Sequence, residues 1–220
     1  MSDVVMIRPA RSAIGTLPVL EIALGGAPRG LVVLLCGPGG LDRDATEVMN
    51  RLAEHGYETL AAEARGRVLE PLVQRAAERG WTGDQIGLLG LGRGGRAVLD
   101  AAAEWCFGAA VSLSPSGPLA GVAAVRTPWL GLFGAEDPGV SAEEVRALGA
   151  RLAAGTDVYS QVVTYPGVGA DFHRRQGDGV SYAASYDGWQ RAIEWLELRV
   201  APRLTPLAEQ WRRRRAAVSG

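Results

Sequence analysis

The chain has 220 residues, 47% of them hydrophobic, and its 23 basic and 24 acidic side chains leave a formal net charge of −1. That length suits one α/β domain with a substantial buried core. The near-neutral charge argues against a general polyanion-binding role, and no apolar run approaches the ~20 residues of a membrane span.

Along the chain, apolar runs alternate with helical patterns, which predicts a parallel sheet wrapped by helices. Residues Met1 to Arg8 lack a charged region followed by a long apolar one, so no secretion signal is expected. Leu31 to Leu35 reads as a buried strand running into the loop Gly37-Pro38-Gly39-Gly40. Residues 43 to 55 form an amphipathic helix with Val48 and Leu52 on one side, His55 near the helix dipole and Gly56 as C-cap, and Tyr57 to Ala62 is the next strand. A helix from Val68 to Arg79 is stopped by Gly80. Ile86 to Leu89 is a strand, followed by a glycine-rich turn and a helix over Arg96 to Ala103. Ala109 to Leu113 and Trp129 to Gly134 are strands, Ser141 caps a helix running to about Ala154, and Val158 to Thr164 alternates like a more exposed strand.

The polar, Gly-rich stretch from Arg174 to Tyr182 reads as a mobile loop, and Ser185 to Val200, carrying Trp189, Ile193, Trp195 and Leu196, as a long closing helix. Thr205-Pro206 opens a short last helix at about 204–216, whose Arg212 to Arg215 run reads as a solvated helix end rather than a nucleic-acid site. With no repeat and no linker, residues 1–220 are expected to form a single domain. Cys36 and Cys106 lie in or beside apolar segments and read as buried, reduced thiols of a cytoplasmic protein. Every basic residue is Arg and none is Lys, which with the abundance of Ala and Gly suggests a high-GC bacterial genome.

The turn Gly90-Leu91-Gly92-Arg93-Gly94-Gly95 stands where a strand becomes a helix. In α/β-hydrolases a G-x-Ser-x-G turn at such a place lifts a nucleophile above the sheet. Small residues are present at 90, 94 and 95, but the centre is Gly92, which has no side chain. With Arg51 to Tyr57 (RLAEHGY), Leu132 to Asp137 (LFGAED) and Tyr165 to Phe172 (YPGVGADF), the stretch Ile86 to Gly95 resembles the dienelactone hydrolase family over about residues 28 to 200. The resemblance implies an α/β-hydrolase fold: a mostly parallel sheet with helices on both faces and no large lid domain.

Carried over position by position, the family's nucleophile falls on Gly92, its acid on Asp137 and its base on Ala170. Asp137 is the retained acid, read either as functional or as a carboxylate capping its own loop. The Arg93 N–H would be one oxyanion donor. The second falls on Pro38, which has no N–H, or with a one-residue shift on Gly39, and the family's carboxylate near the nucleophile falls on Gly37. Arg174 and Arg67 match the pair that holds a substrate carboxylate, although either alone reads as a solvated charge.

His173 is a candidate substitute base if the turn brings it inward, and otherwise an outward-facing loop residue. Cys36, at a strand end under the cleft, is a candidate displaced thiol. Ser112, Ser114 and Ser116 follow another strand, with nothing in their pattern resembling a strained turn. No Cys/His cluster and no phosphate loop stands out, so no metal and no cofactor are expected.

Three functions fit these residues: a non-hydrolytic, ligand-binding pseudoenzyme; an enzyme of non-hydrolytic chemistry (cyclase, isomerase or lyase) on a small organic acid or polyketide-like substrate; and a hydrolase with a relocated nucleophile. The expected partner is a small-molecule ligand, an organic acid, with no nucleic acid and no membrane, bound by a monomer or homodimer.

Overall fold

The computed structural model describes residues 6–155, 157–174, 179–204, 207, 208, 210, 211, 214 and 215. A hairpin of β1 (Ala10–Ile14) and β2 (Leu17–Ile22) leads into β3 (Gly30–Cys36), α1 (Arg43–Glu54), β4 (Tyr57–Glu63) and α2 (Leu69–Glu78). There follow β5 (Ile86–Leu91), α3 (Arg93–Glu104), β6 (Ala109–Leu113), β7 (Trp129–Gly134), α4 (Ala142–Gly155), β8 (Ser160–Tyr165) and α5 (Gly179–Arg199).

The strands form one eight-stranded sheet in the order β1-β2-β4-β3-β5-β6-β7-β8. β4 through β8 run parallel to β3, while β2 is antiparallel to both β1 and β4. This is the mostly parallel α/β-hydrolase sheet that the sequence predicts.

Every residue of β3 is buried because helices cover both faces of a parallel sheet. Leu31, Val33 and Leu35 join Leu72 of α2, Val98 and Leu99 of α3 and Leu148 of α4. Val32, Leu34 and Cys36 point the other way, into the cluster holding Met49 and Leu52 of α1 and Ile193 and Leu196 of α5. Each fully buried aliphatic side chain contributes about 1.5–3 kcal/mol relative to an exposed one. The helix ends follow local chemistry. Asp42 Oδ1 accepts from the Asp44 N–H at 2.9 Å to open α1, and Ser141 Oγ accepts from the Glu144 N–H at 3.2 Å to open α4.

The structure departs from the sequence expectations in several places. The β1–β2 hairpin was not expected; it closes through Gly15-Thr16, with Ile14 paired to Leu17 and Gly15 at φ 59°. Helix α3 starts three residues early, at Arg93, because it follows the turn at once. Helix α5 begins at Gly179, so the last part of the expected 174–182 loop is helical, while 175–178 lie outside the described residues. Cys106 is exposed rather than buried, since it follows the end of α3 at the surface. The expected C-terminal helix falls partly outside the described residues; within 204–216, Leu207, Ala208, Gln210, Trp211, Arg214 and Arg215 are helical. Among the described residues no helix is long and apolar enough to cross a membrane.

Candidate active site

The turn between β5 and α3 is held from all sides. The Gly92 N–H donates to the Leu113 carbonyl at 2.9 Å, and the Gly92 carbonyl accepts from the N–H groups of Ser116 (3.0 Å) and Arg96 (3.1 Å). These bonds fix Gly92 at φ 55°, ψ −116°, a strand-to-helix backbone of the kind that presents a nucleophile and that an L-residue adopts only under strain. Two neighbours must be glycine on steric grounds. A Cβ at Gly94 would overlap the Leu35 carbonyl, and one at Gly90 would overlap the Gly94 carbonyl. Gly92 is different: the nearest atom to a Cβ there is Ser116 Oγ at 4.0 Å, so the turn leaves open room at its centre.

Two adjoining chambers lie over this turn. One, of about 150 Å³, is bounded by the turn itself (Gly92, Arg93), the end of β3 and the loop after it (Cys36, Gly37, Pro38, Gly40) and Asp171, His173 and Arg174. The other, of about 210 Å³, lies between α1 and Trp189 of α5, with Val48, Arg51 and Leu91 in its wall. Asp44, Leu91, His173 and Arg174 line both, so the chambers meet at these residues.

The turn after β8 delivers His173. Phe172 packs on the Tyr165 ring, centroids 4.9 Å apart, and Gly188 of α5 leaves it room: a Cβ there would lie 3.0 Å from Phe172 Cε2. The His173 carbonyl accepts from Trp189 Nε1 (3.0 Å) and Ser185 Oγ (3.2 Å), which clamps the turn to α5. His173 is therefore 7% exposed and not the outward-facing residue that was one expectation. Its Nδ1 is buried with no hydrogen-bond partner among the described residues. Burial, aided by Arg174, pushes its pKa down to about 4 against the opposing pull of Asp171 and the Ala170 backbone, so the ring is neutral at pH 7.

The other sequence-predicted residues fall as follows. Ala170, expected at the base position, is half-buried. Asp137 Oδ1 accepts from the Gly139 N–H at 2.8 Å, within its own loop, and that loop meets the turn bearing Ala170 through the Glu136 N–H to Val168 carbonyl bond of 3.0 Å. The Gly39 N–H donates to Glu63 Oε1 at 2.8 Å, which engages the alternative oxyanion donor with a carboxylate. Arg174 is half-exposed, with Nε 3.3 Å from Asp44 Oδ2 and 3.7 Å from Asp171 Oδ1. Arg67 lies apart from these residues, in a hollow lined also by Glu70, Asp100 and Trp105. Cys36 lines the elbow chamber, but its thiol is pushed up to about 12 by burial, then by Asp42 and Glu63.

Sequence reasoning missed three features. Trp189, with the Arg51 guanidinium 4.5 Å above its ring, forms a wall of the cleft. Glu63 captures the Gly39 N–H. Ser114 has φ 47° and a buried hydroxyl with no partner among the described residues, a left-handed backbone that nothing in its local sequence pattern signals. The i, i+4 pair Ser185 and Trp189 on one face of α5 was the signal available for the clamp on His173. Ser112, by contrast, has a structural role: it donates to the Gly95 carbonyl at 2.7 Å and accepts from Trp129 Nε1 at 2.9 Å. Among the described residues no group of three or more His, Cys, Asp or Glu is placed to hold a metal ion.

The profile of the dienelactone hydrolase family matches residues 66–199. The chain belongs to the dienelactone hydrolase family. It is 33% identical over 82 residues to an assigned carboxymethylenebutenolidase of Salmonella typhimurium, and 30% identical over 84 residues to one of Escherichia coli. Those stretches are 37% and 38% of this chain, but the chain spans only 30% and 31% of the length of these curated relatives. Among solved structures, an assigned dienelactone hydrolase from Klebsiella pneumoniae has a TM-score of 0.73 at 22% identity, covering 86% of this chain and 98% of that one. Thermogutta terrifontis esterase 2, phosphoramylated by tabun, has a TM-score of 0.74 at 16% identity, covering 93% and 100%. At these identities the two structures speak for the fold, the α/β-hydrolase fold, and for nothing finer.

Proposed function

We propose that this dienelactone hydrolase family member does not hydrolyse esters through a covalent intermediate and keeps its cleft as a binding site for a small organic ligand. The observation that carries this reading is Gly92, which holds the elbow backbone and offers no atom to attack a carbonyl. Three further features agree with it. The position of the base is Ala170; Pro38 has no N–H and the Gly39 N–H is engaged by Glu63; and Cys36, with its pKa near 12, is a thiol rather than a nucleophilic thiolate at pH 7.

A second reading, non-hydrolytic catalysis in the same cleft, is favoured by His173. A neutral imidazole lining both chambers is suited to exchange a proton or hydrogen bond with a ligand.

The test is turnover of p-nitrophenyl acetate by the purified wild-type protein. Absence of both nucleophile and base lowers turnover by on the order of 10⁶-fold, so only background is expected. Robust turnover that survives purification and is abolished by Cys36→Ala or Ser114→Ala overturns the proposal in favour of a relocated nucleophile.

A further inference from the structure

The two chambers differ in chemistry from a site built for an acid. Four carboxylates line them, Asp42, Asp44, Glu47 and Asp171, against three guanidinium groups, Arg51, Arg93 and Arg174. Arg174 already lies between Asp44 and Asp171, and Arg51 lies over the Trp189 ring. An entering anion would meet one carboxylate more than there are arginines, and an Arg174 whose charge is already matched. Cys36 senses the same field, since Asp42 and Glu63 add to the effect of burial in holding its proton.

What the cleft does offer is neutral and directional. Gly92 and Arg93 open α3, whose first N–H groups have no intrahelical partner and suit an acceptor atom in the room above Gly92. His173 borders that room, nine-tenths buried, with Nδ1 unpartnered among the described residues. Nδ1 itself has no surface open to the room, so a ligand meets His173 through the part of the ring that lines the chambers. Beyond His173 the wall turns apolar with Leu91, Val48 and Trp189.

We infer that the room above Gly92 and the chamber beside it bind an uncharged carbonyl compound carrying a hydroxyl or enol group, with its carbonyl at the α3 N-terminus and its O–H on His173. This rests on the proposed function only in taking the cleft as a ligand site. It departs from the organic acid expected from Arg174 and Arg67, because Arg174 has its own carboxylates and Arg67 lies in another hollow. The apolar body of the ligand lies along Leu91, Val48 and Trp189, in the larger chamber.

Two molecules of nearly equal shape separate the charge question from the shape question: 2′-hydroxyacetophenone, which is neutral, and salicylate, which is an anion. The chain has two histidines, so the imidazole signals in a carbon–proton correlation spectrum report His173 directly, with His55, at the end of α1 and paired to Glu197 at 3.1 Å, as the internal reference. The neutral probe is expected to move the His173 signal saturably, to bind about tenfold or more tighter than salicylate, and to bind about tenfold more weakly to His173→Phe. Salicylate binding as tightly as the ketone, saturable binding that leaves the His173 signal in place, or no saturable binding of the ketone each overturns the inference. Failure of the proposed function is distinguishable, because it appears as ester turnover by the wild-type protein.

Discussion

Protonation of His173 is expected to destabilise the folded protein from within its own cleft. The imidazole has an ordinary pKa of 6.5 in the unfolded chain and about 4 in the folded one, chiefly through burial. Above pH 6.5 both states hold the neutral ring and His173 adds no pH dependence. As pH falls between 6.5 and 4 the unfolded chain takes up a proton that the folded chain refuses, so stability decreases through this window and the loss is complete below about 4. At 1.36 kcal/mol per pKa unit the full effect is about 3 kcal/mol, most of it present by about pH 4.5. The perturbation is His173→Phe, which keeps an aromatic ring beside Phe172 and removes the titration. Urea unfolding followed by tryptophan fluorescence, from about pH 7.5 to about 4.5, gives the stability of each protein. Carboxylates that are favoured in the folded state, such as Asp187, which accepts from Tyr165 and Arg191, weaken both proteins alike as pH falls. The difference between wild type and variant therefore isolates His173 and should move in the variant's favour by roughly 2–3 kcal/mol on acidification. A difference that stays constant to within about 0.5 kcal/mol across the range would refute both the burial of the ring and the neutrality derived from it.

Two further outcomes test the elbow and the thiols. Gly94→Ala places a Cβ into the Leu35 carbonyl and is expected to cost more than about 4 kcal/mol, whereas Gly92→Ala enters open room and should cost about 1–3 kcal/mol for a backbone at φ 55°. Thermal unfolding of the two variants settles this, and equal losses would show that the close approach of α3 to β3 is wrong. In the native protein the thiol reagent DTNB should titrate exposed Cys106 promptly and Cys36 only after denaturation, since Cys36 is 2% exposed and its thiolate is disfavoured. Two fast equivalents without denaturant would contradict the placement of Cys36.

The legible parts of this fold are those whose signal is local. β6 and β7 end where the apolar runs end, because a central parallel strand is buried on both faces; β6 is flanked by Gly108 and Ser114, and β7 follows Pro128 and ends on Gly134. β1 gave no such signal: its residues Ala10 to Ser12 are exposed, and only the Gly15-Thr16 turn between two apolar residues hinted at a hairpin. The same division holds at the site. That residues 92 and 170 carry no functional side chain can be read without a structure. The burial of His173 cannot, because Ser185 and Trp189, 12 and 16 residues later, hold its carbonyl from a separate helix. Nor can the fate of the Gly39 N–H, which depends on Glu63, 24 residues away on the neighbouring strand.

The persistence of the elbow without a side chain at its centre has an energetic explanation. The geometry is imposed by Gly90 and Gly94, which let α3 approach β3 and β5, and by the hydrogen bonds of the Gly92 backbone to Leu113, Ser116 and Arg96. None of these depends on what residue 92 carries. A serine or cysteine there would sit at φ 55°, where L-residues are strained by about 1–3 kcal/mol, while glycine tolerates the conformation at little cost. Glycine at 92 therefore relieves strain and enlarges the cleft at the same time. The room so opened is bordered by the buried imidazole of His173.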